Sequence, residues 1–90
     1  MSALDAKMDE LGRRFAARAA EERAGLSAAL AADDRATLQA RAHKLAGIAP
    51  MFGHAEIGEA ALALELAAEE GGDVAPVVAR LDGLLAALSC

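Results

Sequence analysis

The residue best suited to chemistry in this sequence is His43, which lies in a segment of unusual charge. Between Arg35 and Pro50 there are three basic residues, Arg35, Arg41 and Lys44, and no acidic residue, although the chain has a net charge of −5. A neutral imidazole is a good nucleophile, and nearby cations can offset the negative charge of an incoming phosphoryl group. The segment therefore indicates a surface nucleophile that accepts an anionic group.

The outer face of this predicted helix consists of small residues. At about 100° per residue, His43 lies roughly 140° from the apolar seam and should point to solvent. The seam consists of Leu38, Ala42, Leu45 and Ala49. Ala36, Ala40 and Gly47 share the outer face with His43. A mid-helix glycine costs about 1 kcal/mol relative to alanine, so Gly47 suggests the close approach of another surface. Helical geometry alone leaves a second interpretation open, in which His43 is an ordinary surface histidine and Gly47 is simply tolerated.

The rest of the sequence predicts the elements that must position this histidine. Hydrophobic residues make up 56% of the chain but aromatic residues only 2%, and this alanine- and leucine-rich profile favours helix. Apolar spacing predicts four helices over residues 3–32, 35–49, 54–70 and 74–88, and Gly12 could bend or break the first of them. Leu62 and Leu66 lie off the main seam of the third helix, which suggests a second neighbour there. We predict one domain over residues 1–90, an all-α antiparallel four-helix up-and-down bundle.

Composition excludes several classes of protein. Ninety residues have no room for a nucleotide-binding domain, and the acidic balance argues against nucleic-acid binding. We interpret His54 as a residue at the start of a helix. The sequence contains no cluster of cysteine, histidine or carboxylate residues at metal-ligand spacing, so we predict no metal site. Cys90, the only cysteine, cannot form an internal disulfide and reads as an incidental thiol. We expect a cytoplasmic monomer with no signal peptide, no membrane segment and no cofactor.

The sequence around His43 resembles the signature of the histidine-containing phosphotransfer (HPt) family. The match is alanine–histidine at Ala42 and His43, leucine at Leu45, and glycines at Gly47 and Gly53. Downstream, Leu62, Leu64 and Glu65 are similar to the family's following helix. The motif covers about 25 residues, and the predicted four-helix layout fits the remainder.

The resemblance implies a role for each matching residue. His43 would be the phosphoacceptor through Nε2, with Lys44 as the neighbouring cation and Glu65 holding the other ring nitrogen. Gly53 would serve the turn between the second and third helices. The partner-docking surface would consist of Ala36, Gln39, Ala40 and Gly47. Counting residues outward from the loop, however, places Ala60 rather than Glu65 at the level of His43.

The resemblance also implies partners and a reaction. His43 would carry a phosphoryl group between aspartates of response-regulator receiver domains, with a hybrid histidine kinase upstream and Mg²⁺ held by the receiver. The chain itself would have no kinase activity. The sequence departs from the family at Ala46, where many members have lysine, and at Pro50, where a small residue is frequent.

Other interpretations of the sequence remain open. A non-catalytic helical bundle could bind a signalling partner through an exposed helix face. A dimerising histidine-kinase fragment would bury a second apolar stripe, for which Leu62 and Leu66 are the candidates. Glu22, which lies on the apolar stripe of the first helix, either reaches water at the bundle edge or supports the site together with Arg23.

Overall fold

The computed structural model describes residues 2–88, which form five α-helices, one 3-10 turn and no strand. The elements are α1 (Ala3–Ala17), α2 (Ala19–Ala31), α3 (Arg35–Ile48), the 3-10 turn (Ala49–Phe52), α4 (Ala55–Glu70) and α5 (Ala75–Leu88). The all-α class predicted from the sequence is confirmed. Cys90, which we interpreted as an incidental thiol, lies outside the described residues.

The prediction of a first helix over residues 3–32 that could bend or break near Gly12 is wrong in the position of the break. The chain breaks at Arg18, which has φ −90° and ψ −1° and separates α1 from α2, while Gly12 lies within α1. The break lets α1 carry the Phe15 ring onto the 3-10 turn, where it packs against Phe52 at 5.9 Å and His54 at 5.5 Å between ring centroids. Tertiary packing of the aromatic rings thus accompanies a break that no local residue signals.

The remaining helices begin and end within one residue of the prediction, because residues at their boundaries cap or end them. Asp34 caps α3 by accepting from the backbone N–H of Thr37 at 3.1 Å. Gly71 ends α4 with φ 77°, in the left-handed region that glycine adopts at low cost. Asp73 accepts from the N–H of Ala75 at the start of α5.

Packing of four of the helices fixes the position of α3. Helix α3 packs between α2 and α4, and α5 contacts both α2 and α4. The guanidinium of Arg35, at the start of α3, donates to carbonyls at the end of α4, so these two helices run in opposite directions. The largest fully buried side chains are all leucine: Leu26, Leu38, Leu64, Leu81 and Leu85. Buried alanines such as Ala42 and Ala61 let the helix axes approach closely between them.

Two regions lie outside this core. Leu62 and Leu66 are 49% and 44% exposed. Helix α4 does have two neighbours, but these leucines contact neither of them closely enough to be buried, contrary to expectation. Helix α1 contacts chiefly α2 and the 3-10 turn. It extends the molecule to 46 Å, about twice the length of a 14-residue helix.

Candidate functional site

His43 lies on the outer face of α3, as helical counting predicts. Its side chain is 74% exposed, whereas Leu38, Ala42 and Leu45 of the same helix are buried. Its ring is nevertheless held in place, because Nδ1 lies 2.7 Å from Oε2 of Glu65 on α4. The site thus combines an accessible ring with a fixed orientation.

The Glu65 contact determines which ring nitrogen faces solvent. An ionised carboxylate can only accept a hydrogen bond, so a neutral imidazole that it binds carries its proton on Nδ1. The lone pair of Nε2 then points away from α4 toward solvent. Glu65 itself is largely shielded, with an 18% exposed side chain, which strengthens its electrostatic hold on the ring.

Counting residues outward from the loop placed Ala60 rather than Glu65 at the level of His43, yet Glu65 reaches the ring. Ala60, expected at this level, is fully buried in the core, and Glu65 makes the contact instead. Side chains in a helix lean toward its N-terminus. Because α3 and α4 run in opposite directions, His43 leans toward later residues of α4 while Glu65 leans back toward earlier ones. The Cα atoms of His43 and Glu65 therefore lie at different heights along the helix pair, and their side chains meet between those heights.

Two of the three cations of the predicted basic segment point away from His43. Arg35 donates to the carbonyls of Ala67, Ala68 and Gly72, and so stabilises the end of α4. Arg41 pairs with Glu22 of α2 at 3.3 Å. Lys44 is exposed and has no hydrogen bond or ion pair within residues 2–88, so it is the cation of this segment left for an incoming anionic group.

Gly25 and Glu22 on α2 explain the position of Arg41. A Cβ atom at Gly25 would overlap the guanidinium group of Arg41, so this mid-helix glycine makes room for that cation. Sequence reasoning noted no purpose for Gly25, although its cost within a helix was a signal. Arg23 forms a two-bond pair with Asp82 of α5, at 2.9 and 3.3 Å. Glu22 and Arg23 therefore link helices and do not reach His43.

Three of the four predicted docking residues form an exposed strip of small side chains beside His43. Ala36, Ala40 and Gly47 are exposed and Gln39 is half-buried. A Cβ atom at Gly47 would meet no atom within 4 Å, so the fold itself does not require glycine here. This observation leaves the space above Gly47 available to a partner.

The turn after α3 is also built around glycine. Gly53 ends the 3-10 turn with φ 85°, which favours glycine. Gly58 of α4 allows the ring of Pro50 to pack against the helix, since a Cβ atom there would lie 2.6 Å from Cγ of Pro50. Sequence reasoning missed Gly58. These contacts set the spacing of α3 and α4 on which the His43–Glu65 bond depends.

Two kinds of feature are absent from the part of the chain that the structure describes. Among residues 2–88, no group of three or more histidine, cysteine, aspartate or glutamate side chains is arranged to hold a metal ion. Within the same range, every helix falls short of the length and apolarity needed to cross a membrane.

The fold and the site define a class: a small helical bundle that presents one oriented, accessible histidine. The Hpt domain family model matches residues 10–89, and the chain belongs to this family. Its members are phosphocarrier modules that take part in phosphotransfer in two-component signalling. Comparison with curated proteins and with solved structures gives no significant match.

Proposed function

We propose that His43 accepts a phosphoryl group from a receiver-domain aspartate and passes it to the aspartate of a second receiver. The observation that supports this most directly is the 2.7 Å contact between Nδ1 of His43 and Glu65, combined with the 74% exposure of the His43 side chain. A nucleophile needs one free lone pair in a fixed direction, and this contact leaves Nε2 in that state.

The transfer is an in-line displacement at phosphorus. Nε2 of His43 forms the new N–P bond while the P–O bond to the aspartate breaks, and the aspartate leaves as a carboxylate. The proton on Nδ1 stays in place, and the ionised Glu65 balances the positive charge of the phosphorylated ring. In the second transfer the N–P bond breaks as the second aspartate attacks, and Nε2 recovers its lone pair.

We assign the remaining requirements of the reaction to the partner and to the docking surface. Mg²⁺ would be held by the receiver, which supplies most of the charge stabilisation in the transition state. Lys44 would add a cation from this chain, and Ala36, Gln39, Ala40 and Gly47 would contact the receiver. A hybrid histidine kinase would be the upstream source, and the relay would operate in the cytoplasm. Helices α2 to α5 would form the antiparallel four-helix bundle that supports the site.

Phosphotransfer from a labelled receiver tests this proposal. The protein is incubated with a phosphorylated receiver, and we expect label that is labile in acid and stable in base, as a phosphohistidine is. His43→Gln should abolish the label while the circular dichroism spectrum stays unchanged, because the side chain is exposed. Label that persists in His43→Gln would refute this site, and receiver binding without label would favour a non-catalytic interaction module.

Substitution of Gly47 tests the docking surface separately from the nucleophile. Gly47→Leu should slow transfer by about tenfold or more, since a side chain there meets nothing in the fold and projects toward the partner. Gly83 of α5 is a matched control, because it is also exposed and a Cβ atom there also meets no atom within 4 Å. Equal transfer rates for Gly47→Leu and Gly83→Leu, measured with one receiver, would show that Gly47 does not face the partner.

A further inference from the structure

Helix α4 presents an apolar and acidic surface to solvent on the side next to His43. Leu62 and Leu66 are two of the five large hydrophobic side chains exposed within residues 2–88, and they are one helical turn apart. They flank Glu65, which reaches His43. The helix has five glutamates and no lysine or arginine. We name this surface, Leu62 and Leu66 with the flanking Glu59 and Glu69, the leucine patch.

On the other side of α3 lies a groove whose lining has more cations than carboxylates. It has a volume of about 730 Å³ and runs along α3 from Ala36 to Ile48, opposite α1 and the start of α2. This span of α3 is about 18 Å long, enough for three turns of a second helix. The apolar wall includes Leu11, Phe15, Ile48 and Phe52. The charged residues of the lining are the cations Arg14, Arg18, Arg41 and Lys44 and the carboxylates Glu21 and Glu22.

The cations of the groove are not equally available. Arg14, Arg18 and Arg41 pair with Glu10, Glu21 and Glu22 respectively. Lys44 forms no ion pair within the described residues and lies at the edge of the groove beside His43. An acidic partner helix would therefore meet Lys44 first. This places a cation where the glutamates of an incoming helix would lie, next to an apolar wall that could bury its leucines.

We propose that a second copy of this chain occupies the groove through its leucine patch. Each requirement of the groove is met by α4: two leucines one turn apart for the apolar wall, and flanking glutamates for Lys44. The expected monomer would then be one state of a monomer–dimer equilibrium. A contact in which each copy contributes two leucines should be small and transient, so association should appear at high protein concentration.

The position of the two surfaces allows a closed dimer. The leucine patch lies on one side of His43 and the groove on the other, and Ala36 and Ala40 of the exposed strip line the groove. A two-fold axis parallel to α3, passing close to His43, brings each leucine patch onto the groove of the other copy, so both contacts form at once. The small side chains of Ala36, Ala40 and Gly47 permit the two α3 helices to approach. In this arrangement both His43 side chains are covered, so self-association blocks access to the nucleophile.

Sedimentation velocity of the full chain tests the association. Between about 10 μM and about 1 mM, the range in which weak interfaces assemble, we expect the apparent mass to rise from 9.1 kDa toward twice that value. The double variant Leu62→Glu, Leu66→Glu should remain monomeric, and Lys44→Glu should shift the rise to higher concentration. Leu4→Glu is the matched control, because Leu4 is 69% exposed outside the patch and the groove. It should behave as the wild type.

Two outcomes would overturn the proposal, and neither requires a receiver. A wild-type chain that stays monomeric throughout the range has no such dimer. A dimer that persists in the Leu62→Glu, Leu66→Glu variant, with helicity verified by circular dichroism, uses another surface.

Carbethoxylation then tests the arrangement: the rate at His43 should fall as the dimer forms, while the rate at His54 stays the same. A concentration-independent rate at His43 in a dimeric sample would exclude the two-fold arrangement.

Discussion

The two histidines of this chain occupy contrasting environments. His43 is held at its edge, by one nitrogen against Glu65, and the rest of its ring faces solvent. His54 precedes α4 at the end of the turn, is half-buried, and has its ring face stacked on Phe15 with an angle of 19° between the planes. A contact at the edge leaves a nitrogen available, whereas a contact on the face fixes the ring as part of the packing. The same residue type therefore serves reactivity in one region and structure in the other.

Removing the carboxylate behind His43 should have the largest effect of the predictions that follow. Glu65→Ala loses a charge-assisted hydrogen bond of about 1.5–3 kcal/mol, which corresponds to an expected fall in the transfer rate of about ten- to a hundredfold. Glu65→Gln should retain more of the rate, since its amide oxygen can still accept from Nδ1–H. Single-turnover transfer from a labelled receiver measures both variants.

A control on the same helix separates orientation from general charge. Glu70→Ala removes an exposed glutamate at the end of α4 and should transfer at the wild-type rate. If Glu65→Ala and Glu70→Ala transferred equally fast, the contact at Nδ1 would be incidental. The orientation of the His43 ring would then contribute nothing to the transfer rate, and exposure alone would distinguish His43 from His54.

Substitution of His54 should show the opposite pattern. His54→Ala removes the stack on Phe15, an aromatic contact of about 0.5–1.5 kcal/mol, and should lower the free energy of unfolding by about that amount. Transfer through His43 should be unchanged. Because α1 is held chiefly by α2 and the 3-10 turn, trypsin should also cut faster after Arg13 and Arg14. The measurements are urea unfolding and a time course of limited proteolysis.

The reciprocal variant completes this comparison. His43→Gln, on an exposed face, should leave the free energy of unfolding within about 0.5 kcal/mol of the wild type. A loss of transfer in His54→Ala, or a large loss of stability in His43→Gln, would contradict the division between a reactive and a structural histidine.

The same contrast explains how much of the molecule could be predicted from sequence. The seam of α3 and the exposure of His43 follow from helical periodicity, which depends on local geometry alone. The break at Arg18 does not, since Ala17, Arg18 and Ala19 favour helix individually and the packing of Phe15 involves residues far along the chain. The HPt resemblance implied that Glu65 holds the ring of His43. Level counting placed Ala60 at the height of His43 instead, and it could not find the Glu65 contact because it ignores the direction in which side chains lean.

Charge was the least predictable feature of the site. The basic segment suggested a cluster of cations around His43, but composition does not say where long side chains point. Arg35 satisfies carbonyls at the end of α4, and Arg41 lies over Gly25 beside Glu22. Both arginine contacts depend on how neighbouring helices pack. Only the folded structure could therefore show that the two arginines have partners whereas Lys44 has none within residues 2–88.

The smallest predicted effect concerns the start of the helix that carries His43. The side chain of Asp34 caps α3, whereas His54, at the equivalent position before α4, makes no such side-chain bond. The hydroxyl of Thr37 donates to Asp34 at 2.6 Å, and its backbone N–H donates at 3.1 Å. These bonds, the hydroxyl first, lower the pKa of Asp34 below its ordinary 3.8. Asp34→Ala should therefore destabilise the protein at neutral pH.

The pH dependence of that loss has a definite sign. Since the folded state favours the ionised form, Asp34 stabilises the fold above the unfolded pKa of 3.8, and this contribution is lost as the pH falls through the lower folded value. The gap in unfolding free energy between wild type and Asp34→Asn, which cannot ionise but keeps an acceptor oxygen, should narrow between about pH 7 and about pH 2. Urea titrations at both values measure it. A gap that widened in acid would show that the carboxylate charge does not stabilise the start of α3.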